Sequence, residues 1–140
     1  CKIKSKKQKI LYLGNLNAKR DWGHAKDYVR AMWLMLQKNI PDDYVISTGK
    51  QYSVKTFINI SAKKLGMKII WKKKGKFSEG IDLKTNKTII KQNIKYFRVS
   101  EVDSLQGDCS KAKKILRWKP KYNLNSLIDE MIKEELEILN

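Results

Sequence analysis

The sequence predicts an α/β fold, and three observations carry that expectation. Short apolar runs of strand length recur at 10–13, 44–46 and 67–71. Between them lie two longer segments whose apolar residues return at helical spacing. The order that results, strand, helix, strand, helix, strand, suits helices packed against a sheet.

The first run, 10–13, ends at Gly14 and reads as a strand entering a loop. Apolar residues then recur at Ala25, Tyr28, Val29, Met32, Trp33 and Leu36, a helical stripe that stops near Asn39 and Pro41. Residues 44–46 form a buried-strand candidate closed by the turn signal at Gly49. Ser53 is placed to cap a second helix carrying Val54, Phe57, Ile58, Ala62 and Leu65 and closed by Gly66, after which 67–71 returns as a strand. From Lys72 to Ile94 the chain turns polar, with a loop over 75–80 and a hairpin around Thr85 and Asn86 joining 81–83 to 88–90. Ser110 is placed to cap a short helix running through Leu116, which Trp118 and Pro120 end. The last helix, 124–139, sets Leu124, Leu127, Ile128, Met131, Ile132 and Leu136 on one face and is the one acidic element. With no internal repeat and no interdomain linker, the expected organisation is a basic lead-in over 1–9 and one folded unit over 10–140.

At 140 residues and 41% apolar, the chain has material for a modest core. No apolar run approaches the roughly 18 residues that span a bilayer, and the N-terminus lacks a signal-peptide stretch, so a cytoplasmic location without membrane attachment is expected. Cys1 and Cys109 lie far apart without metal-ligand spacing and are expected as free thiols. A chain that opens on Cys rather than Met also reads as missing an upstream part. The net charge of +17 invites a nucleic-acid reading, because a cationic face gains affinity through counterion release. Yet only four of the 31 basic residues are arginine (Arg20, Arg30, Arg98, Arg117), and the lysines are spread along the chain rather than clustered with aromatics. Base readers and phosphate clamps favour the planar fork of arginine, so nucleic acid is the lesser alternative.

Hydrolytic and metal chemistry find little here: the sequence has no Gly-x-Ser-x-Gly elbow, no phosphate-cradling glycine-rich loop and no repeated His or Cys spacing. The single histidine, His24, stands at a helix start and reads as an ordinary polar contact rather than a general base. The arginines are more informative. Arg20 lies between a strand and a helix start, where unpaired backbone N–H groups and the helix dipole favour an anion such as phosphate. Arg98 follows Tyr96 and Phe97 and precedes Glu101 by three residues. Two arginine forks from separate loops suit a diphosphate, with a carboxylate accepting from ribose hydroxyls. The same spacing equally suits ion pairs of Arg20 with Asp21 or Asp27 and of Arg98 with Glu101 or Asp103.

The run LYLGNLNAKRDWGHAKDYVRAMWLMLQ (11–37) resembles the hallmark segment of the GDP-mannose 4,6-dehydratase family, extended short-chain dehydrogenases/reductases. The runs DDYVISTGKQYSVKTFI (42–58) and YFRVSEVDSLQGDCSKAKKILRWKPKY (96–122), with the closing helix, are similar to the same family in order and spacing. The Arg-Asp-aromatic turn and the Arg loop before a Ser-Lys-Ala helix are shared by the wider superfamily, so another sugar-nucleotide dehydratase or epimerase is the alternative within it.

The resemblance implies the C-terminal, substrate-binding part of such an enzyme, with the N-terminal Rossmann part, its Gly-x-x-Gly-x-x-Gly turn, its catalytic Thr and Glu and its Tyr-x-x-x-Lys pair absent from these residues. It further implies conversion of GDP-mannose to GDP-4-keto-6-deoxymannose by a homo-oligomeric enzyme. NADP, held by the missing part, takes hydride from C4, water is lost across C5 and C6, and the hydride returns to C6. These residues alone are then expected to be inactive. By the same resemblance Arg20 and Arg98 contact the diphosphate and Glu101 the ribose or nucleoside, while Lys19, Leu13 and Asn15 lie close to the nucleotide. The sequence departs from the family at Asn17 (usually Asp), Val99 (usually Pro) and Cys109 (usually Pro), none of them a proposed ligand; losing two prolines loosens the second loop.

Overall fold

The computed structural model describes residues 1–98, 100 and 102–139, and among them the strands form two sheets. The larger contains β1 (Leu11–Leu13), β4 (Ile69–Lys74), β5 (Phe77–Asp82) and β6 (Lys87–Gln92), in the order β1-β6-β5-β4. β1 runs parallel to β6 and the other pairs are antiparallel. The smaller sheet pairs β2 (Lys19–Asp21) with β3 (Gln51–Ser53), Arg20 opposite Tyr52. β2 and β3 have no counterpart in the sequence reading: three residues each, with Tyr52 the one apolar member, give no alternation to detect.

The loop expected over 75–80 is instead a tight hairpin. Lys74 lies opposite Phe77, which leaves Gly75 and Lys76 as a two-residue connection, and Gly75 alone of the two takes a positive φ, 62°, as a turn with glycine first requires. The expected second hairpin is present, with Asp82 opposite Lys87. The Asp82 carboxylate organises its turn by accepting from the Thr85 N–H (3.2 Å) and hydroxyl (2.6 Å). β4 is an edge strand, and exposed Lys72, Lys73 and Lys74 discourage pairing with another chain.

Helix α1 (Ala25–Leu36) forms where the pattern placed it but buries a different face. Ala31 is fully buried against Cys109, Ala112, Leu116 and Trp118, with Tyr28, Leu34 and Met35 packed around them. Val29, Met32, Trp33 and Leu36, the heart of the predicted stripe, are exposed. Residues 44–46 form no strand: Tyr44 and Ile46 pack on the same core, but the segment has no ladder partner among the described residues. Composition favours a strand there, yet a strand also needs a neighbour for its N–H and C=O groups.

Helix α2 (Val54–Lys64) begins as expected, Ser53 accepting from the Thr56 N–H at 3.0 Å. In α3 (Ser110–Ile115) the expected Ser110 cap is absent; Asp108 accepts from the Ser110 N–H at 2.9 Å and Cys109 takes the cap position. The helix thus starts one residue earlier than Ser110 as a cap requires, and Asp108 serves the first helical N–H in place of a capping side chain. Helix α4 (Leu124–Leu139) starts with a reciprocal pair, the Ser126 N–H donating to Asn123 Oδ1 and the Asn123 N–H to Ser126 Oγ. The lead-in over 1–9 is a series of turns rather than an extended tail, closed by bonds such as Lys7 N–H to the Lys2 carbonyl. Both cysteines are free.

Candidate functional site

Two segments distant in sequence, 13–20 and 92–104, are laced together by hydrogen bonds, two of them between backbones and one from the Gln92 side chain. The Asn93 N–H donates to the Leu13 carbonyl (2.8 Å), the Gln92 amide to the Gly14 carbonyl (3.0 Å), and the Lys19 N–H to the Asp103 carbonyl (2.8 Å). Lys19 also pairs with Ser104 in an isolated parallel bridge. Gly14 permits the first of these approaches: a Cβ there would fall 2.1 Å from the Tyr96 carbonyl oxygen. The loop entering α1 and the loop after β6 therefore share one face of the molecule.

On that face Asn15 accepts from the Asn17 N–H (2.9 Å) and donates to Asp103 (3.4 Å). The Lys19 side chain is exposed. Arg20, half-buried in β2, donates through Nη1 to the Lys19 carbonyl (2.7 Å) and the Val102 carbonyl (2.6 Å), which ties β2 to the second loop. Arg98 is exposed just past the 3₁₀ turn Ile94–Tyr96. Glu101 lies outside the described residues, as does Val99. Asn15, Lys19 and Arg20 are thus brought to the loop that carries Arg98. Leu13 is turned the other way, into an apolar cavity of about 560 Å³ bounded by α2, α4, the larger sheet and residues 1–4.

The carboxylates that the spacing offered to Arg20 have work of their own. Asp21 accepts from the N–H groups of Thr48 (3.0 Å) and Gly49 (2.8 Å), and buried Asp27 from those of Lys121 (2.8 Å) and Tyr122 (2.9 Å), with Arg30 at 3.7 Å. Behind the loop, His24 caps α1: its Nδ1 accepts from the Lys26 N–H (3.1 Å), which leaves the proton on Nε2, 3.1 Å from Glu130. Its ring stacks on Tyr122 at 4.0 Å. Trp22 donates to the Tyr52 carbonyl (3.1 Å) and packs on Phe57. These supports fix the Arg-Asp-Trp-Gly-His turn from three directions. Sequence reasoning missed Asp103 and Val102 as partners of the turn, because the contacts join residues more than eighty positions apart.

Comparison with known proteins places this arrangement. A family profile described as GDP-mannose 4,6 dehydratase matches residues 1–131. GDP-mannose 4,6 dehydratase of Dictyostelium discoideum is 47% identical over 133 residues, 95% of this chain and 37% of that protein. The Homo sapiens protein of the same name is 49% identical over 127 residues, 91% and 34% respectively. The chain therefore spans little more than a third of the length of these relatives. Among solved structures, UDP-glucose 4-epimerase of Thermotoga maritima with UDP-glucose superposes with a TM-score of 0.71 at 20% identity, covering 99% of this chain and 38% of that one. dTDP-glucose 4,6-dehydratase of Bacillus anthracis in complex with NAD gives 0.69 at 19% identity, covering 94% and 35%. At such identities these structures share the fold.

Proposed function

Because the chain belongs to the GDP-mannose 4,6-dehydratase family, we propose that it is the C-terminal, substrate-gripping portion of such an enzyme, holding the GDP end of GDP-mannose. The observation that carries this reading is the convergence of Asn15, Lys19 and Arg20 on the loop that bears exposed Arg98. Lys19 and Arg98 supply cation at the surface, and Arg20, whose Nη1 ties β2 to the second loop, is assigned to the diphosphate by its charge and place between them. Asn15 is assigned a place close to the nucleotide and Glu101 the ribose or nucleoside. Leu13 acts through packing at the base of the loop.

The residues that change bonds, and the NADP that accepts and returns hydride, belong in this reading to the larger part of the enzyme that the relatives carry. The role left to these residues is positional. Binding energy gathered at the GDP end, remote from the reacting carbons, fixes the hexose for the chemistry carried out elsewhere. The reading includes a homo-oligomeric complete enzyme in the cytoplasm and no activity of these residues by themselves. No helix among the described residues is long and apolar enough to cross a membrane.

Calorimetric titration of the 140-residue chain with GDP-mannose, with UDP-glucose and a short DNA duplex as controls, tests the grip. Saturable binding of GDP-mannose alone is expected, weakened by about 1.5–3 kcal/mol in Arg98→Ala, the usual worth of a charge-assisted hydrogen bond. Unchanged affinity in that variant removes the clamp. Tight duplex binding at physiological salt without sugar-nucleotide binding favours the nucleic-acid alternative.

A further inference from the structure

We propose that the β4–β5 hairpin braces the nucleotide grip and that Phe77, at its tip, is the residue that positions Arg98; this rests on the reading of the site given above. Residues 72–77 read Lys-Lys-Lys-Gly-Lys-Phe, four exposed lysines, a turn glycine and one apolar side chain. That apolar side chain has a partner in another loop. Phe77 and Phe97 are both half-buried, their ring centroids 5.9 Å apart and their planes tilted by 51°. Tilted pairs at this separation are a favourable aromatic geometry. Phe97 immediately precedes Arg98, so the ring pair joins the hairpin tip to the arginine assigned to the diphosphate.

A second link runs from the same hairpin to the first loop. The Ser78 N–H donates to Gln92 Oε1 at 2.7 Å, and Gln92 Nε2 donates to the Gly14 carbonyl at 3.0 Å. A backbone N–H only donates and a carbonyl only accepts, so these two partners fix the orientation of the carboxamide. Adjacent residues of β5 thus reach both segments of the grip, Phe77 the Arg98 loop and Ser78, through Gln92, the 13–16 loop. The hairpin is a firm base for this, because its ladder runs unbroken from Ile69 opposite Asp82 to Lys74 opposite Phe77. Phe97 is held in two ways: its N–H donates to the Ile94 carbonyl at 3.0 Å and its ring packs on Phe77. An exposed arginine gives up conformational freedom when it closes on an anion, and a brace that removes part of that freedom beforehand lowers the cost of binding. Phe77 acts through Arg98 and contacts no ligand itself.

Calorimetric titration of the 140-residue chain with GDP-mannose tests the brace. Phe77→Ala should weaken binding about tenfold, and Phe77→Tyr, which restores a ring, should bring it within about twofold of the parent. Introduced into Arg98→Ala, Phe77→Ala should weaken binding no further, because a residue that acts through another has no effect once that one is gone. Without ligand, the Phe97 N–H should exchange faster in Phe77→Ala than in the parent or in Phe77→Tyr. If the alanine variant does not fold, Phe77→Leu, which keeps apolar bulk without the ring, carries the same comparisons. An affinity unchanged by the substitution, an equal loss with and without Arg98, or unchanged exchange at Phe97 overturns the brace and leaves the grip standing. A parent chain that binds no GDP-mannose overturns the grip itself, and the brace falls with it.

Discussion

Gly14 stands where a side chain has no room. The nearest atom to an added Cβ is a backbone oxygen, that of Tyr96, which cannot swing aside as a side chain does. Gly14→Ala should therefore push the 13–16 loop away from the 93–97 segment and strain the Asn93 and Gln92 bonds that join them. The expected cost is about 1–3 kcal/mol of stability, the range for overpacking, with weaker GDP-mannose binding because Arg20 and Arg98 sit on the two segments being parted. Urea denaturation measures the first and calorimetry the second; a variant as stable and as tight as the parent would show that the two loops move independently. At this scale the sequence was partly legible. Arg20 stands out by its place before a helix start and Lys19 only by the family resemblance, and His24 does cap α1 as an ordinary polar contact. Asp27 was legible only as a charge near Arg20, and its bonds to Lys121 and Tyr122 cross more than ninety residues.

Helix α1 is tied to α4 through one carboxylate. Glu130 accepts from Lys26 Nζ at 2.5 Å and faces His24 Nε2 at 3.1 Å. The Lys26 hydrogen bond is the main reason that its carboxyl is held below the usual glutamate range; partial burial opposes this and His24 adds to it. A carboxyl depressed in the folded state contributes stability above its unfolded pKa and loses it as pH falls through the folded one. Acidification below about pH 5 should thus loosen the α1–α4 contact, and Glu130→Gln, which cannot make the charged pair, should show a smaller loss of stability over the same window. Urea midpoints at neutral and acid pH decide; identical pH dependence in parent and variant would mean that the bridge contributes nothing to folding. The helices were legible because apolar spacing announces them. The pattern could not say which face of α1 meets the core, because both are apolar. β2 and β3 were invisible because pairing, rather than composition, makes them strands.

For the whole molecule the governing quantity is an imbalance: 31 basic side chains against 14 acidic ones. Several carboxylates are already engaged, Asp129 by Lys64 and Asp42 by Lys111, both at 2.6 Å, and Glu79 between Lys74 and Lys91. Pairs near the surface are each worth about 0–1 kcal/mol, and basic side chains outnumber acidic ones by more than two to one. This feature is legible without any fold, since net charge needs no coordinates, whereas the position of each pair does. Compaction forces like charges together, so folding should be opposed by a long-range repulsion that salt removes. The Debye length falls from about 30 Å at 0.01 M to about 8 Å at 0.15 M, so the melting temperature should rise with sodium chloride over that range. A falling melting temperature would show that the local pairs outweigh the repulsion. The same field attracts any polyanion at low ionic strength, so duplex binding seen only there reports the imbalance and not recognition. A site built from Arg20 and Arg98 should instead keep its preference for GDP-mannose over UDP-glucose at 0.15 M salt, because screening weakens both ligands' diphosphate contacts alike and leaves the difference between them.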